Sequence, residues 1–231
     1  MAGQPATKPA TAVEAGTPLR VAVPAGPTYV SRGGHKLAGA LDAFGYDPRG
    51  KRVLDAGAST GGFTDVLLQR GAAHVVAADV GYGQLAWSLQ TDDRVTVLDR
   101  TNVRALEPEQ VGSPVDLVVT DLSFIPLGLV LPALVRCAAA EADLLPMVKP
   151  QFEVGKERLP SGGVVRDPAL RAAAVRGVAE QAAALGLGVR GITASPLPGP
   201  SGNVEYFLWL TAGAPPLDEQ QLADAVREGP Q

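Results

Sequence analysis

A mainly parallel α/β sheet with helices on both faces is the fold class this sequence predicts, on three observations. Short apolar runs recur along the chain: RVLDAG (52–57), HVVAADVG (74–81), VTVLD (95–99), VDLVVTDLSF (115–124) and DLLPMVK (143–149). Helix-compatible stretches separate them, and strands that alternate with helices imply parallel pairing with both faces covered. Most of the runs end on a charged residue: Asp55, Asp79, Asp99, Asp121 and Lys149. Ligands of such sheets sit outside the carboxyl ends of the strands, so these five side chains mark one end of the sheet as the functional end.

Taken in order, residues 1–27 show no helical period and read as short extended pieces, TAVEAG and LRVAVP, with the alternation of a small β-hairpin. SRGGHKLAGALDAFG (31–45) places Leu37, Ala40, Leu41 and Phe44 at helical spacing and stops at Gly45. Helix-compatible segments follow at FTDVLLQRG (63–71), YGQLAWSLQ (82–90), PLGLVLPALVRCAAA (126–140) and ALRAAAVRGVAEQAAALG (169–186). VRGITASPLPG (189–199) and GNVEYFLWLTAG (202–213) read as two more strands, completing a seven-stranded sheet. The remainder, 214–231, reads as a polar peripheral tail of one or two helical turns.

Composition bounds the function. With 231 residues, 46% hydrophobic and 19% charged, the chain suits one sizeable domain with a small appendage. Cys137 is the only cysteine, which excludes an internal disulfide and a cysteine-based zinc cluster. The longest apolar candidate for a membrane span, FIPLGLVLPALV (124–135), is interrupted by proline and well short of the ~20 residues required. A soluble protein of a reducing cytoplasm is expected. Net charge is −4, yet residues 1–52 hold seven basic against three acidic residues, while the rest holds 13 basic and 21 acidic. A basic front on an acidic body is compatible with a polyanionic partner, because local potential governs encounter.

VLDAGASTGGFTDVLL (53–68) is a strand, a glycine-rich turn and a helix start. Its glycines fit neither the dinucleotide fingerprint nor the phosphate-cradling loop, and no lysine follows. Asp55, two residues before Gly57, suggests a ligand with a positive portion. Asp79 is placed to accept from ribose hydroxyls, and Asp99, with Thr101 and Asn102, to shape an adenine wall. A nucleoside with a cation and no phosphate describes S-adenosylmethionine. The plainer alternative is a structural turn capped by Ser59 or Thr60. Lys36, Asp121, Lys149 and Glu205 singly read as solvated ends of elements; together they form two lysines and two carboxylates suited to managing a proton.

YVSRGGHKL, VLDAGASTGGFTDVLL, VVTDLSFI, LLPMVKPQFEVGK and GNVEYF, in this order, closely resemble the TlyA family of S-adenosylmethionine-dependent ribosomal RNA 2′-O-methyltransferases, some of them long called hemolysins. The resemblance spans residues 29–212 and implies a Rossmann-like class I methyltransferase domain of the FtsJ-like group, here 28–213. By motif it implies a catalytic tetrad of Lys36, Asp121, Lys149 and Glu205. It implies cofactor contacts from Asp55, Gly57, Ser59, Gly61, Gly62, Phe63, Asp79, Asp99, Asn102 and Asp121. Family members typically open with an S4 RNA-binding domain; residues 1–27 resemble only its closing hairpin and a linker.

In the implied reaction a ribose 2′-hydroxyl attacks the sulfonium methyl in line. Lys149 acts there either as a neutral base or as a charged group that positions the hydroxyl, with Asp121 orienting it and Lys36 and Glu205 fixing the ribose. Ribosomal RNA or a ribosomal subunit is the expected partner, contacted by Arg32, Lys36, Lys156, Arg158 and Arg166, and no obligate protein partner is expected. No metal site is expected, since His35 and His74 lack carboxylate-rich surroundings. A membrane-active hemolysin and a small-molecule methyltransferase are the rival readings.

Overall fold

The computed structural model describes residues 12–18 and 28–230. The hairpin expected within 1–27 lies largely outside the described residues; 12–18 form an exposed turn closed by Thr17 N–H donating to the Glu14 carbonyl. Helix α1 (Arg32–Phe44) ends at Gly45, whose φ of 61° makes the left-handed cap. The seven strands among the described residues are β1 (Arg52–Ala56), β2 (His74–Ala78), β3 (Val95–Leu98), β4 (Val115–Thr120), β5 (Ala138–Val148), β6 (Leu187–Ala194) and β7 (Tyr206–Ala212). Their order in the sheet is β3-β2-β1-β4-β5-β7-β6. All pairings are parallel except those of β7, which runs antiparallel to β5 and β6. The Rossmann-like arrangement expected from the sequence is therefore present.

Residue alternation along the strands builds two hydrophobic layers. Val53, Val75, Leu117, Val119, Leu145 and Phe207 face α1 and α2 (Gly62–Gln69), meeting Leu37, Leu41, Phe63 and Leu67. Leu54, Val76, Val118, Leu144 and Leu208 face the other way, against α5 (Leu131–Cys137) and α7 (Pro168–Ala183). Three elements depart from the sequence reading. The alanines 138–140, read as helix, begin β5, because pairing of Ala138 with Val115 overrides alanine's helical preference. Only Trp87–Gln90 of the segment 82–90 is helical (α3), leaving Trp87 exposed. The tail holds a ten-residue helix, α8 (Glu219–Glu228). Asp218 caps it by accepting from Gln220 N–H at 2.7 Å, and Leu222, Ala225 and Val226 are buried in the second layer. The two remaining helices, α4 (Pro108–Val111) and α6 (Pro150–Glu153), are single turns.

The strand order reverses between β1 and β4, the crevice at which sheets of this kind bind ligands. β7 contributes a second feature. Because it is antiparallel, its first residue lies at the carboxyl end of β5, with Tyr206 opposite Val148. One register thus brings Lys149 and Glu205 to the same edge.

Candidate active site

Two charged pairs stand over this edge. Lys149 Nζ is 2.6 Å from Asp121 Oδ1, and it donates to Ser123 Oγ at 3.0 Å. Lys36 Nζ, reaching in from α1, is 2.5 Å from Glu205 Oε2. The four residues expected to form the catalytic set are thus together, each lysine with one carboxylate. Their exposures differ: 8% and 1% for Lys36 and Glu205, 9% and 26% for Lys149 and Asp121.

Helix α1 approaches α2 closely. A Cβ on Gly62 would lie 2.8 Å from the Gly34 backbone nitrogen, so any side chain there would push the helices apart. Gly57 has φ of 92°, and its Cβ would lie 2.8 Å from the Asp121 carbonyl oxygen. The glycine loop therefore lies backbone to backbone on the end of β4.

Two adjoining cavities open here. The first, about 340 Å³, lies between α1, the glycine loop and the tetrad; Lys36, Gly57, Ser59, Phe63, Asp121 and Lys149 are among its walls, as are Arg32 and Gly62. The second, about 710 Å³, is bounded by Lys149, Glu205, Phe152, Phe124 and the loop 155–163. Lys149 belongs to both.

The other expected cofactor residues, Asp55, Gly61, Asp79, Asp99 and Asn102, line neither cavity. Asp79 accepts from the backbone N–H of Ser59 at 2.8 Å and of Gly81 at 2.7 Å, tying the glycine loop to the end of β2. Asp99 accepts from Gly83 N–H at 3.0 Å. Asn102 Oδ1 accepts from Arg104 N–H at 3.1 Å and so caps a short 3₁₀ turn. Asp55 shares the α2 face with Val53 and is fully buried, accepting from Thr64 Oγ1 at 2.7 Å; burial pushes its carboxyl up to about 7. It lines neither cavity. Gly61 packs against Leu85 and Leu89.

Of the expected RNA contacts, Arg32, Lys156, Arg158 and Arg166 are exposed. Lys156 lines the second cavity, while Arg158 folds back to donate to the Val154 carbonyl at 2.9 Å. His35 meets the Tyr29 ring edge-on at 5.0 Å, and His74 Nε2 lies 2.8 Å from Thr96 Oγ1. Among the described residues no group of histidine, cysteine and carboxylate side chains is placed to hold a metal ion, and no helix is long and apolar enough to cross a membrane.

Several site residues escaped the sequence reading. Ser123 had no signal beyond following Asp121. Phe124 is 90% exposed, with φ of 64°, and its ring centroid lies 5.2 Å from that of Phe152. Asn203 is buried and latches the loop 155–166, accepting from Val165 N–H and donating to the Gly163 carbonyl, both at 2.9 Å. Glu153, on α6, accepts from Leu127 N–H at 2.9 Å and holds the segment that follows Phe124. Burial pushes its carboxyl up to about 7.

Residues 29–212 match the FtsJ-like methyltransferase family. The chain is 63% identical to the 16S/23S rRNA (cytidine-2′-O)-methyltransferase TlyA of Mycobacterium tuberculosis, over 99% of this chain and 87% of that protein. Among solved structures it is similar to a protein of Streptococcus thermophilus described as a hemolysin, with a TM-score of 0.84 and 38% identity, over 88% of this chain and 74% of that one. A Pyrococcus horikoshii protein described as an RNA methyltransferase shares the fold, with a TM-score of 0.56 and 16% identity, over 81% and 89% of the two chains.

Proposed function

The chain belongs to the FtsJ-like methyltransferases, and we propose that it methylates the ribose 2′-hydroxyl of a cytidine in ribosomal RNA, with S-adenosylmethionine as the methyl donor. The observation that carries this reading is the meeting of Lys36, Asp121, Lys149 and Glu205 where the two cavities join. The substrate is the one named for the Mycobacterium tuberculosis relative.

The first cavity suits the donor. Gly57 and Gly62 leave backbone where side chains would intrude, and Asp79 keeps lone pairs beyond the two it commits to Ser59 and Gly81. Gly57, Ser59, Gly62 and Phe63 would hold it from the cavity wall, with Asp79 beyond them at the end of β2 bracing Ser59. When bound, S-adenosylmethionine supplies an electrophilic methyl group on a sulfonium. The second cavity, of about 710 Å³, is large enough for a nucleoside, and exposed Lys156 at its rim suits the RNA backbone.

Lys149 has three N–H donors. One serves Asp121 and one Ser123, which leaves one for an incoming hydroxyl oxygen. A donor there stabilises the negative charge that builds on the oxygen as it attacks, while its proton passes to water at the open mouth. Lys36 and Glu205 hold the ribose so that the hydroxyl points at the first cavity. Alignment of this kind is worth an effective concentration of ~10⁵ M or more.

The test is methyl transfer from labelled S-adenosylmethionine to ribosomal subunits lacking the modification, by the wild-type chain and by Lys149→Ala. Transfer by the wild type that falls at least about a hundredfold in the variant is expected. Equal rates from both chains would sink the assignment of Lys149. Red-cell lysis by purified protein that survives Lys149→Ala, with no methyl transfer by either chain, would favour the hemolysin reading.

A further inference from the structure

Three residues line both cavities where these adjoin: Ser123, Lys149 and Pro200. Proline has no side-chain donor or acceptor, so Lys149 and Ser123 are the polar side chains common to the two chambers. They are bonded to each other, Lys149 Nζ donating to Ser123 Oγ at 3.0 Å. Ser123 belongs to neither lysine–carboxylate pair, yet it holds the lysine that meets both cavities.

The backbones of the two partners are fixed separately. Asp121 N–H donates to the Ala56 carbonyl at 3.3 Å, seating the end of β4 on β1, and Phe124 turns the chain in the left-handed region with φ of 64°. Ser123 lies between these two points. On the other side, Pro150 and the 2.9 Å bond from Phe152 N–H to the Lys149 carbonyl close the single turn of α6. Each segment thus has its own anchor without the side-chain bond between them.

An ammonium is a compact charge with three rotatable donors, and attraction to a carboxylate sets its position better than its orientation. Asp121 Oδ1, 2.6 Å away, supplies that attraction. A second acceptor in another direction stops rotation about the Cε–Nζ bond and thereby aims the remaining N–H. We propose that Ser123 is a positioning residue for methyl transfer, aiming the third N–H of Lys149 at the attacking hydroxyl oxygen; the inference rests on the ribose methylation reading above. Because it acts through Lys149, its contribution is to rate and not to the affinity for RNA or donor. Ser123 is exposed, so its hydroxyl can be removed without opening a void in the core.

The test is a double-mutant cycle of Ser123→Ala and Lys149→Met, beside Ser123→Thr, which keeps the hydroxyl. Single-turnover methyl transfer to unmodified ribosomal subunits is measured together with kcat, KM and the Kd for S-adenosylmethionine. Ser123→Ala is expected to lower kcat about tenfold with KM and Kd unchanged, and Ser123→Thr to restore most of the loss. In the Lys149→Met background, Ser123→Ala is expected to change the residual single-turnover rate less than about twofold, since no ammonium is left to aim. An undiminished kcat in Ser123→Ala would overturn the inference. So would an equal loss in both backgrounds, because a serine that touches the RNA or shapes the cavity acts whether or not Lys149 is present. A wild-type chain that transfers no methyl to any subunit would overturn the ribosomal RNA reading, and this inference with it.

Discussion

The two lysine–carboxylate pairs of the site have the same composition and different surroundings. Lys36, Glu205 and Lys149 are all buried, whereas Asp121, the partner of Lys149, is 26% exposed. Separating a sealed pair leaves a carboxylate that water does not reach, which is costly; separating an open pair leaves one that water solvates. The closed pair ties α1 to the start of β7, and the open pair keeps its carboxylate toward solvent.

The largest effect that bears on this contrast is on rate. Lys149→Met is expected to reduce single-turnover methyl transfer about a thousandfold, near 4 kcal/mol of barrier. Its unfolding free energy by denaturant titration should stay within about 1 kcal/mol of wild type, because Asp121 is already wetted. Lys36→Met should lose about 3 kcal/mol of stability, since it strands Glu205. Adding Glu205→Gln to Lys36→Met should recover much of that loss without recovering activity. Equal destabilisation by Lys36→Met and Lys149→Met would break the comparison.

A smaller effect is expected on the donor side. Asp79→Ala removes a charged acceptor from two backbone N–H groups of the loops. It should weaken S-adenosylmethionine binding about tenfold in calorimetry. RNA affinity, measured separately, should be unaffected.

The smallest effect sharpens the comparison with a third carboxylate. Glu153 is partly buried like its neighbours, but its partner is the Leu127 N–H and not a cation, and its pKa is pushed up to about 7 by burial. A carboxyl whose folded pKa lies above its unfolded value of about 4.3 stabilises the fold in its protonated form. That contribution is present in acid and is lost as pH rises from about 4 toward 7. Glu153→Gln keeps the carbonyl acceptor and does not ionise. It should flatten the fall in stability over that range and be about 1–2 kcal/mol more stable than wild type at pH 8. A variant that follows the wild-type pH profile would show that Glu153 is solvated.

The parts of the site most directly legible in the sequence are those at the ends of strands, the glycine loop after β1 among them. An apolar run ending on a charged residue fixes both the strand and the exit of its last side chain, which is how Asp121 and Lys149 stand out. Glu205 is legible for the mirror reason, because it opens a run. The pairing was not legible: Lys36 and Glu205 are 169 residues apart, and only the antiparallel insertion of β7 beside β5 brings them together. Periodicity carries no record of which strands neighbour one another. Residues that act from loops were missed for a related reason. The exposure of Phe124 depends on its backbone, and the latch of Asn203 on a loop some 40 positions away. In α8 the charged residues outnumber the three that reach the core, and the segment therefore read as a peripheral tail.

The most direct measurement locates the transferred methyl group. Unmodified ribosomal subunits are labelled by the wild-type chain from methyl-labelled S-adenosylmethionine, and the RNA is then hydrolysed in alkali. A 2′-O-methyl group blocks cleavage of the adjoining phosphodiester, so label in a single alkali-resistant dinucleotide that begins with cytidine is the expected result. Label recovered in single nucleotides would place the methyl on a base, and would contradict a site in which Lys149 and Asp121 serve a ribose hydroxyl.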